Sequence, residues 1–278
     1  EVMTDGGTRG FVFGYRLEVT GVDSSIPAAQ AGAGAESIRT FMGNVWRPVF
    51  FQELIDTRRI DLEVFRTDVG LFPDPENQLV RLRTPRANAD FRYSDIMISR
   101  GGDLVFTGTT LQVTLTREGE ASIIFSRDGE QISLAFTVLS EDMEALIESE
   151  RNRRERELAR ITAIAPVLES NAYGTLEINE DGRFLWTGTA RLVPAVIPAA
   201  AGDTGRISFS HFAGADLQGQ FDGVVTFLFS GSQQPVNFLY TVEDGGIRMT
   251  WAAPETITDR TVNRLGLSPV VVFFTARD

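Results

Sequence analysis

The sequence contains no cysteine, no lysine and a single histidine, and these absences remove several kinds of chemistry. Without cysteine the chain forms no disulfide and offers no thiolate, either as a nucleophile or as a metal ligand. Because His211 is the only imidazole, metal sites built from several histidines are excluded. Mechanisms that need two histidines are excluded for the same reason.

Since lysine is absent, all 26 basic residues are arginines, and the formal net charge is −12. A GC-rich coding bias favours arginine, and a need for bidentate guanidinium contacts is the second explanation. Nucleic-acid binding requires a clustered basic surface, which this acidic balance argues against. An anionic membrane surface is disfavoured in the same way.

Long hydrophobic runs are also missing, so the sequence predicts no transmembrane helix. The N-terminus lacks a basic region followed by an apolar one, and residues 1–10 are typical of a processed mature chain or a shortened one. Removal of a signal peptide predicts an extracytoplasmic bacterial protein, either periplasmic or associated with the cell envelope. A lipid anchor on a lost N-terminal cysteine fits the same interpretation.

The most informative feature that is present is an internal repeat. Residues 93–113 align without a gap on residues 173–193, sharing Tyr, Ile, Gly, the triplet Thr-Gly-Thr and a final Val. Most unmatched positions exchange similar residues, as Phe106 does with Trp186. Because a repeat of this kind marks a duplicated structural unit, the sequence predicts two related modules.

Each copy begins with a hairpin whose register follows from its apolar face. In the second copy, a three-residue loop that contains Gly182 sets Ile178 opposite Phe184 and Leu176 opposite Trp186. A two-residue turn would pair apolar with polar side chains, so the buried face selects the longer loop. The first copy gives the same register, with these pairs: Ile98 with Leu104, and Ile96 with Phe106.

The same register makes predictions for the Thr-Gly-Thr triplets. It pairs Tyr93 with Thr109 and Tyr173 with Thr189, which are stabilising aromatic to β-branched contacts. The central glycines, at positions 108 and 188, fall where a strand bends or lies close to a neighbour. The triplet is therefore interpreted as part of the β scaffold.

Other runs predict further strands and two less regular segments. The strands are expected at 11–20, 59–67, 78–84, 121–125, 131–139, 206–212, 225–229, 235–242, 247–251 and 269–275. Residues 24–35 are rich in Ala, Gly and Ser and are expected to be flexible. Residues 37–54 carry many aromatic side chains and are expected in the core, as helix or strand, because Pro48 suits neither well.

One clear helix is predicted at about residues 140–163, with Ser140 as its cap. Its middle, residues 148–157, is charged on all sides, which predicts a solvated surface helped by the pair Glu150 and Arg154 at i,i+4. Alternating glutamates and arginines favour a linker helix over a binding site for an acidic partner.

The elements together predict a mainly β protein with two related antiparallel meander modules joined by one long charged α-helix. The expected domains are residues 1–139, with the first repeat copy at 93–139, the helix at 140–163, and residues 164–278, with the second copy at 173–252. Short hairpins favour barrel-like closure over a sandwich. The meanders look like small up-and-down barrels of the lipocalin kind in general architecture, with no family motif that would identify site residues.

Residues that could carry chemistry are few. Strand alternation puts His211 on one face with Ile207 and Phe209, which favours a core or edge histidine over a catalytic one. Paired carboxylates can hydrolyse glycosides without His or Cys. The acidic candidates lie mostly beside glycines in predicted turns: Glu180, Asp181, Asp216, Asp222, Glu243 and Asp244. We therefore expect no catalytic residue, no metal site and no cofactor.

Binding through shape is the function that remains. An aromatic line is the candidate ligand site, although such lines are more often packed core: Phe106, Trp186, Phe227, Phe229 and Trp251. The candidate partner-binding residues are Trp46, Phe50 and Phe51. We expect a non-enzymatic, extracytoplasmic binding or envelope-associated protein that recognises an apolar small molecule or a protein partner. A structural adaptor bracing a larger assembly is the alternative, and a carboxylate-dependent hydrolase is third.

Each function predicts a different surface. A ligand carrier predicts a cavity above about 300 Å³. An adaptor predicts an exposed apolar patch around Trp46 or residues 194–204. A hydrolase needs two carboxyl groups about 5 to 10 Å apart in one cleft. Function is expected where the two copies differ, in residues 194–223, in the linking helix or in residues 37–54.

Overall fold

The computed structural model describes residues 2–3, 9–10, 28–116, 119–267 and 269–277. The strand expected at 11–20 lies outside these residues. The described residues up to 137 form two helices and eleven strands: β1 (Val2–Met3), β2 (Arg9–Gly10), α1 (Ala28–Met42), β3 (Arg47–Pro48), α2 (Phe50–Asp56), β4 (Gly70–Asp74), β5 (Leu79–Arg83), β6 (Asn88–Arg92), β7 (Asp95–Ile98), β8 (Leu104–Thr107), β9 (Gln112–Leu115), β10 (Glu120–Arg127) and β11 (Glu130–Thr137).

The remaining part contains one long helix and eleven strands: α3 (Met143–Thr162), β12 (Val167–Ser170), β13 (Gly174–Ile178), β14 (Arg183–Thr187), β15 (Thr204–Ser208), β16 (Phe212–Ala213), β17 (Gly223–Phe229), β18 (Val236–Glu243), β19 (Gly246–Ala252), β20 (Ile257–Thr258), β21 (Thr261–Val262) and β22 (Val271–Ala276). Short 3-10 turns occupy Thr189–Arg191 and Pro254–Thr256. The protein is therefore mainly β with one long helix between two β regions, as predicted.

The first β region has two sheets around one core. Six strands pair in the order β3-β11-β10-β9-β8-β7, and three pair in the order β4-β5-β6. Two backbone hydrogen bonds between Trp46 and Leu71, of 3.0 and 2.8 Å, link the sheets beside β3 and β4. The other edge strands, β6 and β7, are consecutive in the chain. The arrangement is thus barrel-like, and Phe41 of α1 packs into it against Phe106.

The second β region closes completely. Eight antiparallel strands form a barrel in the order β12-β13-β14-β15-β17-β18-β19-β22, and β22 closes it by pairing with β12. The predicted last strand, 269–275, is therefore a closing strand, but Val271 and Phe273 on its outer face are about half exposed. A small sheet of β16, β21 and β20 covers part of the outer wall of the barrel.

The hairpin registers derived from the apolar faces are confirmed in both copies. Ile178 lies opposite Phe184, and the loop closes through a 2.8 Å hydrogen bond from the Asn179 amide to the Arg183 carbonyl. Gly182 has φ +79°, as a three-residue loop requires. The first copy shows the same pairs: Ile98 with Leu104, and Ile96 with Phe106. Strands β10 and β11 are joined by a two-residue turn at Asp128-Gly129, with both φ angles positive.

The predicted pairing of Tyr93 with Thr109 and of Tyr173 with Thr189 is wrong. Strands β8 and β14 end at Thr107 and Thr187, because the following glycines, at positions 108 and 188, take φ +88° and +82° and turn the chain. The expected bend at these glycines is confirmed. Tyr93 instead packs edge-on against Phe106, and the Tyr173 carbonyl accepts a hydrogen bond from the Trp186 indole.

The barrel interior is packed with its own aromatic side chains. Trp186 is completely buried, and its ring centroid lies 5.2 Å from that of Phe227, 5.5 Å from Phe274 and 6.0 Å from Phe238. The alternation of apolar and polar residues along the strands puts these rings on the inner face. The barrel is consequently a solid core rather than a container.

Helix α3 differs from its prediction in two respects. Asp142 rather than Ser140 is the cap, because its carboxylate accepts the amide hydrogens of Glu144 and Ala145 at 2.9 and 3.2 Å. The charged middle of the helix is not fully solvated. Glu150 is only 5% exposed, and its carboxylate binds the guanidinium groups of residues 153 and 154, at 2.7 Å each, so the buried charge is paired.

Three other segments are better defined by the structure than by the sequence. Residues 59–67 form turns instead of a strand, because Asp61 accepts hydrogen bonds locally, at its carbonyl from Phe65 and at its carboxylate from Glu63. Residues 28–35 of the run expected to be flexible belong to helix α1. The segment 37–54 combines the end of α1, the short edge strand β3 with Pro48, and the start of α2.

Two glycine substitutions test the close approach between β13 and the turn after β14. Gly174 and Gly245 have similar angles, φ +74° and +71°, but a Cβ on Gly174 would lie 2.0 Å from the Thr187 carbonyl oxygen, whereas one on Gly245 meets nothing within 4 Å. We expect Gly245→Ala to lower the free energy of unfolding by about 1 to 2 kcal/mol. Gly174→Ala should lower it by at least about 2 kcal/mol more. Equal losses in chemical denaturation would contradict the described backbone contact.

Candidate functional site

An open groove lies at one end of the barrel, where β17 leads into β18 and where β19 ends. It has a volume of about 560 Å³, and we call it the rim groove. Its walls come from the 194–198 segment, the start of β18, the end of β19, the following turn and the single histidine: Pro194, Ala195, Val196, Pro198, His211, Gln234, Pro235, Val236, Asn237, Trp251, Ala252, Pro254 and Ile257. None of these side chains is acidic or basic, apart from that of His211, which can be protonated.

The strand register brings the polar residues of the groove together. Thr226 of β17 lies opposite Asn237 of β18, and Asn237 lies opposite Ala252 of β19, so the three share the outer face of the barrel. Trp251 immediately precedes Ala252 in β19, and its backbone amide donates a 2.8 Å hydrogen bond to the Val270 carbonyl. Regular β pairing thus fixes the position of each side chain.

A short chain of hydrogen bonds joins the histidine to this face. The Thr226 hydroxyl donates to Asn237 Oδ1 at 2.7 Å, and His211 Nδ1 lies 3.0 Å from the same hydroxyl oxygen. Because that hydroxyl has a single hydrogen, which in this orientation of the Asn237 amide goes to Asn237, Nδ1 is the donor to Thr226. The Ser210 hydroxyl lies 3.4 Å from Nδ1 as a weaker neighbour. The second ring nitrogen, Nε2, is left as an acceptor.

The environment of His211 keeps its ring neutral. Burial, and then the nearby charge of Arg260, lower its pKa from 6.5 to about 4, although Asp61 and Glu63 act in the opposite direction. The tautomer of this neutral ring follows from the orientation of the Asn237 amide, because the Thr226 hydroxyl between the two side chains has one hydrogen to donate. His211 therefore presents a fixed hydrogen-bonding group rather than a positive charge at pH 7.

The prediction that His211 shares a face with Ile207 and Phe209 is wrong. Strand β15 ends at Ser208, so the alternation of inner and outer residues stops before residue 209. Phe209 still packs into the barrel core, whereas His211 turns to the outer wall and contacts Thr226. The predicted strand, 206–212, ran four residues beyond the end of β15, so strand alternation does not apply to His211.

A charged junction lies beside His211, between the two β regions and α3. Arg260 binds Asp61 at 2.9 Å and also binds the carboxylate of Glu63. From α3, the Arg153 guanidinium donates to the Phe209 carbonyl at 2.7 Å and lies over the Phe212 ring, 5.1 Å from its centroid. These contacts hold the segment around the histidine against both α3 and the first β region.

Helix α3 is fixed to the barrel by a second polar contact. The Tyr240 hydroxyl, which belongs to a fully buried side chain of β18, donates to the carboxylate of Glu157. Burial and this carboxylate raise the pKa of Tyr240 far above its usual value, so the hydroxyl remains a donor. Arg160 and Asp222 add an ion pair of 3.0 Å on the same side. We interpret these groups as structural.

The predicted aromatic line divides into core residues and one groove residue. Four of the five predicted ligand-binding side chains are fully buried among other rings: Phe106, Trp186, Phe227 and Phe229. Trp251 is the member that lines the rim groove. The structure therefore leaves no free ring face at the other four positions for a ligand.

The predicted partner-binding residues divide in a similar way. Trp46 and Phe51 are fully buried and cannot contact a partner in this fold. Phe50 is partly buried and borders a smaller apolar groove of about 380 Å³, together with Pro48 and Val49. A larger groove of about 640 Å³ lies between α3 and the turn after β13, but it includes two exposed glutamates and no aromatic ring. The rim groove combines an aromatic ring with oriented polar groups.

The acidic candidates of the sequence lie in ion pairs or in exposed turns. Three of them have their own arginine partners: Asp181 with Arg183, Asp222 with Arg160, and Glu243 with Arg248. The other three, at positions 180, 216 and 244, are exposed. Among the residues that the structure describes, no group of three His, Cys, Asp or Glu side chains is placed to hold a metal ion.

Sequence reasoning missed Thr226 and Asn237. Each interrupts a run of apolar residues, in Val-Val-Thr-Phe-Leu-Phe and Val-Asn-Phe-Leu-Tyr, and both are nearly inaccessible to solvent. A buried polar side chain requires a partner. Two such residues on consecutive strands of a hairpin were therefore the signal that could have located this site.

The charge state of His211 can be measured directly, because the chain has one histidine. We expect its ring signals in NMR spectra to titrate with a midpoint of about 4. Since the folded pKa lies below 6.5, stability contributed by the neutral ring is complete above pH 6.5 and is lost as the pH falls towards 4. Arg260→Gln should raise the midpoint and Arg248→Gln should not. A wild-type midpoint near 6.5 would contradict the buried, positively charged surroundings.

Comparisons with known proteins identify no function. Residues 28–139, from α1 to just beyond β11, match a family model described as the TP0260 family, third domain. A protein of Treponema pallidum (strain Nichols), described as uncharacterized, is 31% identical over 278 residues, covering 99% of this chain and 62% of that protein. The chain thus spans less than two thirds of that relative's length. No solved structure matches the chain. No helix within the described ranges has both the length and the apolar character needed to cross a bilayer.

Proposed function

We propose that this protein is a non-enzymatic, extracytoplasmic binding protein that holds an apolar small molecule in the rim groove. The observation that carries the proposal is the contrast between the filled barrel and the open groove at Trp251. A ligand cannot enter a core packed around Trp186 without displacing several rings. A groove of about 560 Å³ falls within the size range of small-molecule sites.

The walls of the groove suit a ligand that binds without reacting. They carry no carboxylate, and the nitrogen of His211 that faces Thr226 is already committed. A general base for hydrolysis needs a partner that it can deprotonate, and the Thr226 hydroxyl instead donates to Asn237. These contacts favour recognition over catalysis.

The prolines of the groove support a preformed site. Four of the lining residues are prolines: Pro194, Pro198, Pro235 and Pro254. Proline fixes its own φ angle and has no backbone N–H, so the wall loses little conformational freedom when a ligand binds. The proline-rich loop also belongs to the insertion that distinguishes the second repeat copy from the first.

A structural adaptor is the second candidate, and it is favoured by the outer wall of the barrel. Val271 and Phe273 alternate on β22 and are 45% and 44% exposed. The chain covers 62% of the length of its Treponema relative, so a neighbouring domain of a longer protein is the occupant that this face would fit. In that case Phe273→Ser would weaken attachment of the domain and leave ligand binding in the rim groove unchanged.

The location outside the cytoplasm is part of the proposal. Protease treatment of intact and lysed host cells would test it, with a cytoplasmic marker protein as the control. The deciding comparison is between cells in which only the outer membrane is opened and cells in which both membranes are lysed. Degradation of the protein only in the second case would contradict this location.

Tryptophan fluorescence tests the proposed groove. Trp46 and Trp186 are buried, so an added apolar probe such as N-phenyl-1-naphthylamine should alter the emission of Trp251. Trp251→Ala should weaken binding of this probe at least tenfold, because one aromatic contact surface is lost. The matched control is Phe273→Ala, which removes a half-exposed ring of β22 and should leave binding unchanged. Unaltered affinity in Trp251→Ala would exclude the rim groove.

A further inference from the structure

Two polar atoms of the rim groove have no hydrogen-bond partner within the described part of the chain. Nε2 of His211 and Nδ2 of Asn237 make no hydrogen bond with any described residue. Their side chains are nevertheless held in place, because the other end of each is bonded to the Thr226 hydroxyl. The fully buried side-chain atoms without a partner, in the described part of the chain, lie elsewhere: Arg59 Nε, Thr107 Oγ1 and Arg154 Nη2. The two free nitrogens are therefore not sealed in the core.

The Thr226 hydroxyl makes these two free atoms opposite in character. It donates to Asn237 and accepts from His211, so Asn237 offers a free N–H donor while Nε2 of His211 offers an acceptor. Turning the Asn237 amide over would reverse the direction of both hydrogen bonds together. Asn237 would then offer its carbonyl oxygen and His211 an N–H. In either orientation the groove presents one donor and one acceptor.

The other lining residues of the rim groove determine which kind of ligand can present an acceptor and a donor to Asn237 and His211. The lining contains no charged side chain, and a charged ligand would lose hydration without gaining an ion pair there. Trp251 supplies the large aromatic surface of the groove, on which a flat ring can stack. A suitable ligand is therefore uncharged, contains a ring and has an acceptor beside a donor.

We infer that the rim groove recognises an uncharged cyclic amide, whose C=O accepts from Asn237 and whose N–H donates to His211. A ring holds the C=O and N–H of an amide on the same edge. A single trans peptide unit directs them to opposite sides, which favours a small cyclic compound over a peptide backbone. This inference rests on the proposed function and defines the ligand class of the same site.

The probe for this inference is 2-quinolone, a neutral bicyclic lactam. Its controls are 1-methyl-2-quinolone, which lacks the N–H, and 2-methoxyquinoline, which lacks both the N–H and the carbonyl. We expect 2-quinolone to bind at least tenfold more tightly than either control, since unpaired polar groups in a site penalise an analogue that lacks their partners. Addition of 2-quinolone should also shift the NMR signal of Nε2 in the single histidine.

A pair of variants tests the role of the hydroxyl. Thr226→Val keeps the side-chain shape but removes the hydroxyl that orients both groups, so the preference for 2-quinolone over 1-methyl-2-quinolone should fall below threefold. Thr241→Val makes the same change on β18, where the hydroxyl contacts the Gln220 carbonyl, and should retain the preference. Circular dichroism checks that both variants are folded. The affinities of the unaltered protein for the three ligands test the inference without any variant.

The outcomes separate this inference from the proposed function. If all three quinolines bind equally and Trp251→Ala weakens each of them, the groove binds apolar ligands but the amide inference is wrong. If none binds and N-phenyl-1-naphthylamine does not bind either, the proposed function also fails. Binding of N-acetyl-alanyl-alanine methylamide in place of 2-quinolone would overturn the inference in favour of a peptide backbone.

Discussion

Packing of aromatic rings around Trp186 is the constraint on which the remaining features of the second β region depend. Phe227, Phe238 and Phe274 surround the indole within a closed barrel, so the interior is occupied by the protein itself. Burial of such rings is the main stabilising contribution of a core of this kind. Because the interior is full, the open space lies outside it, and the inserted 194–198 segment and Trp251 form at one end of the barrel the rim groove in which we propose that a ligand binds.

The outer wall shows how a β scaffold can carry specificity with very few residues. Thr226 and Asn237 are adjacent on consecutive strands, and a single hydroxyl sets the direction of two hydrogen bonds. His211 is held between this wall and the junction in which Arg260 pairs with Asp61, so burial and charge keep its ring neutral. The same contacts that attach the first β region to the barrel therefore determine what the groove presents to a ligand.

The sequence predicted regular features well and irregular ones poorly. Hairpin registers follow from alternation of apolar residues, which depends on local pattern alone. The turns at 59–67 depend on hydrogen bonds to Asp61, which no periodic pattern shows. The pair of Glu150 with Arg154 was predicted from its i,i+4 spacing and is confirmed, but that spacing does not show that Glu150 is buried. The site followed the same rule. Trp251 was among the predicted ligand-binding residues, and this stays a prediction. The contact between Thr226 and Asn237 could not be predicted without knowing which strands are neighbours.

A crystal soaked with 6-bromo-2-quinolone would test the central claim most directly, because anomalous scattering locates the bromine without assumptions about the fold. The account predicts the bicyclic ring against Trp251 in the rim groove, with its carbonyl oxygen within hydrogen-bond distance of Asn237 and its N–H directed at His211. Bromine inside the barrel, among Trp186 and its neighbouring phenylalanines, would contradict both the solid core and the proposed site.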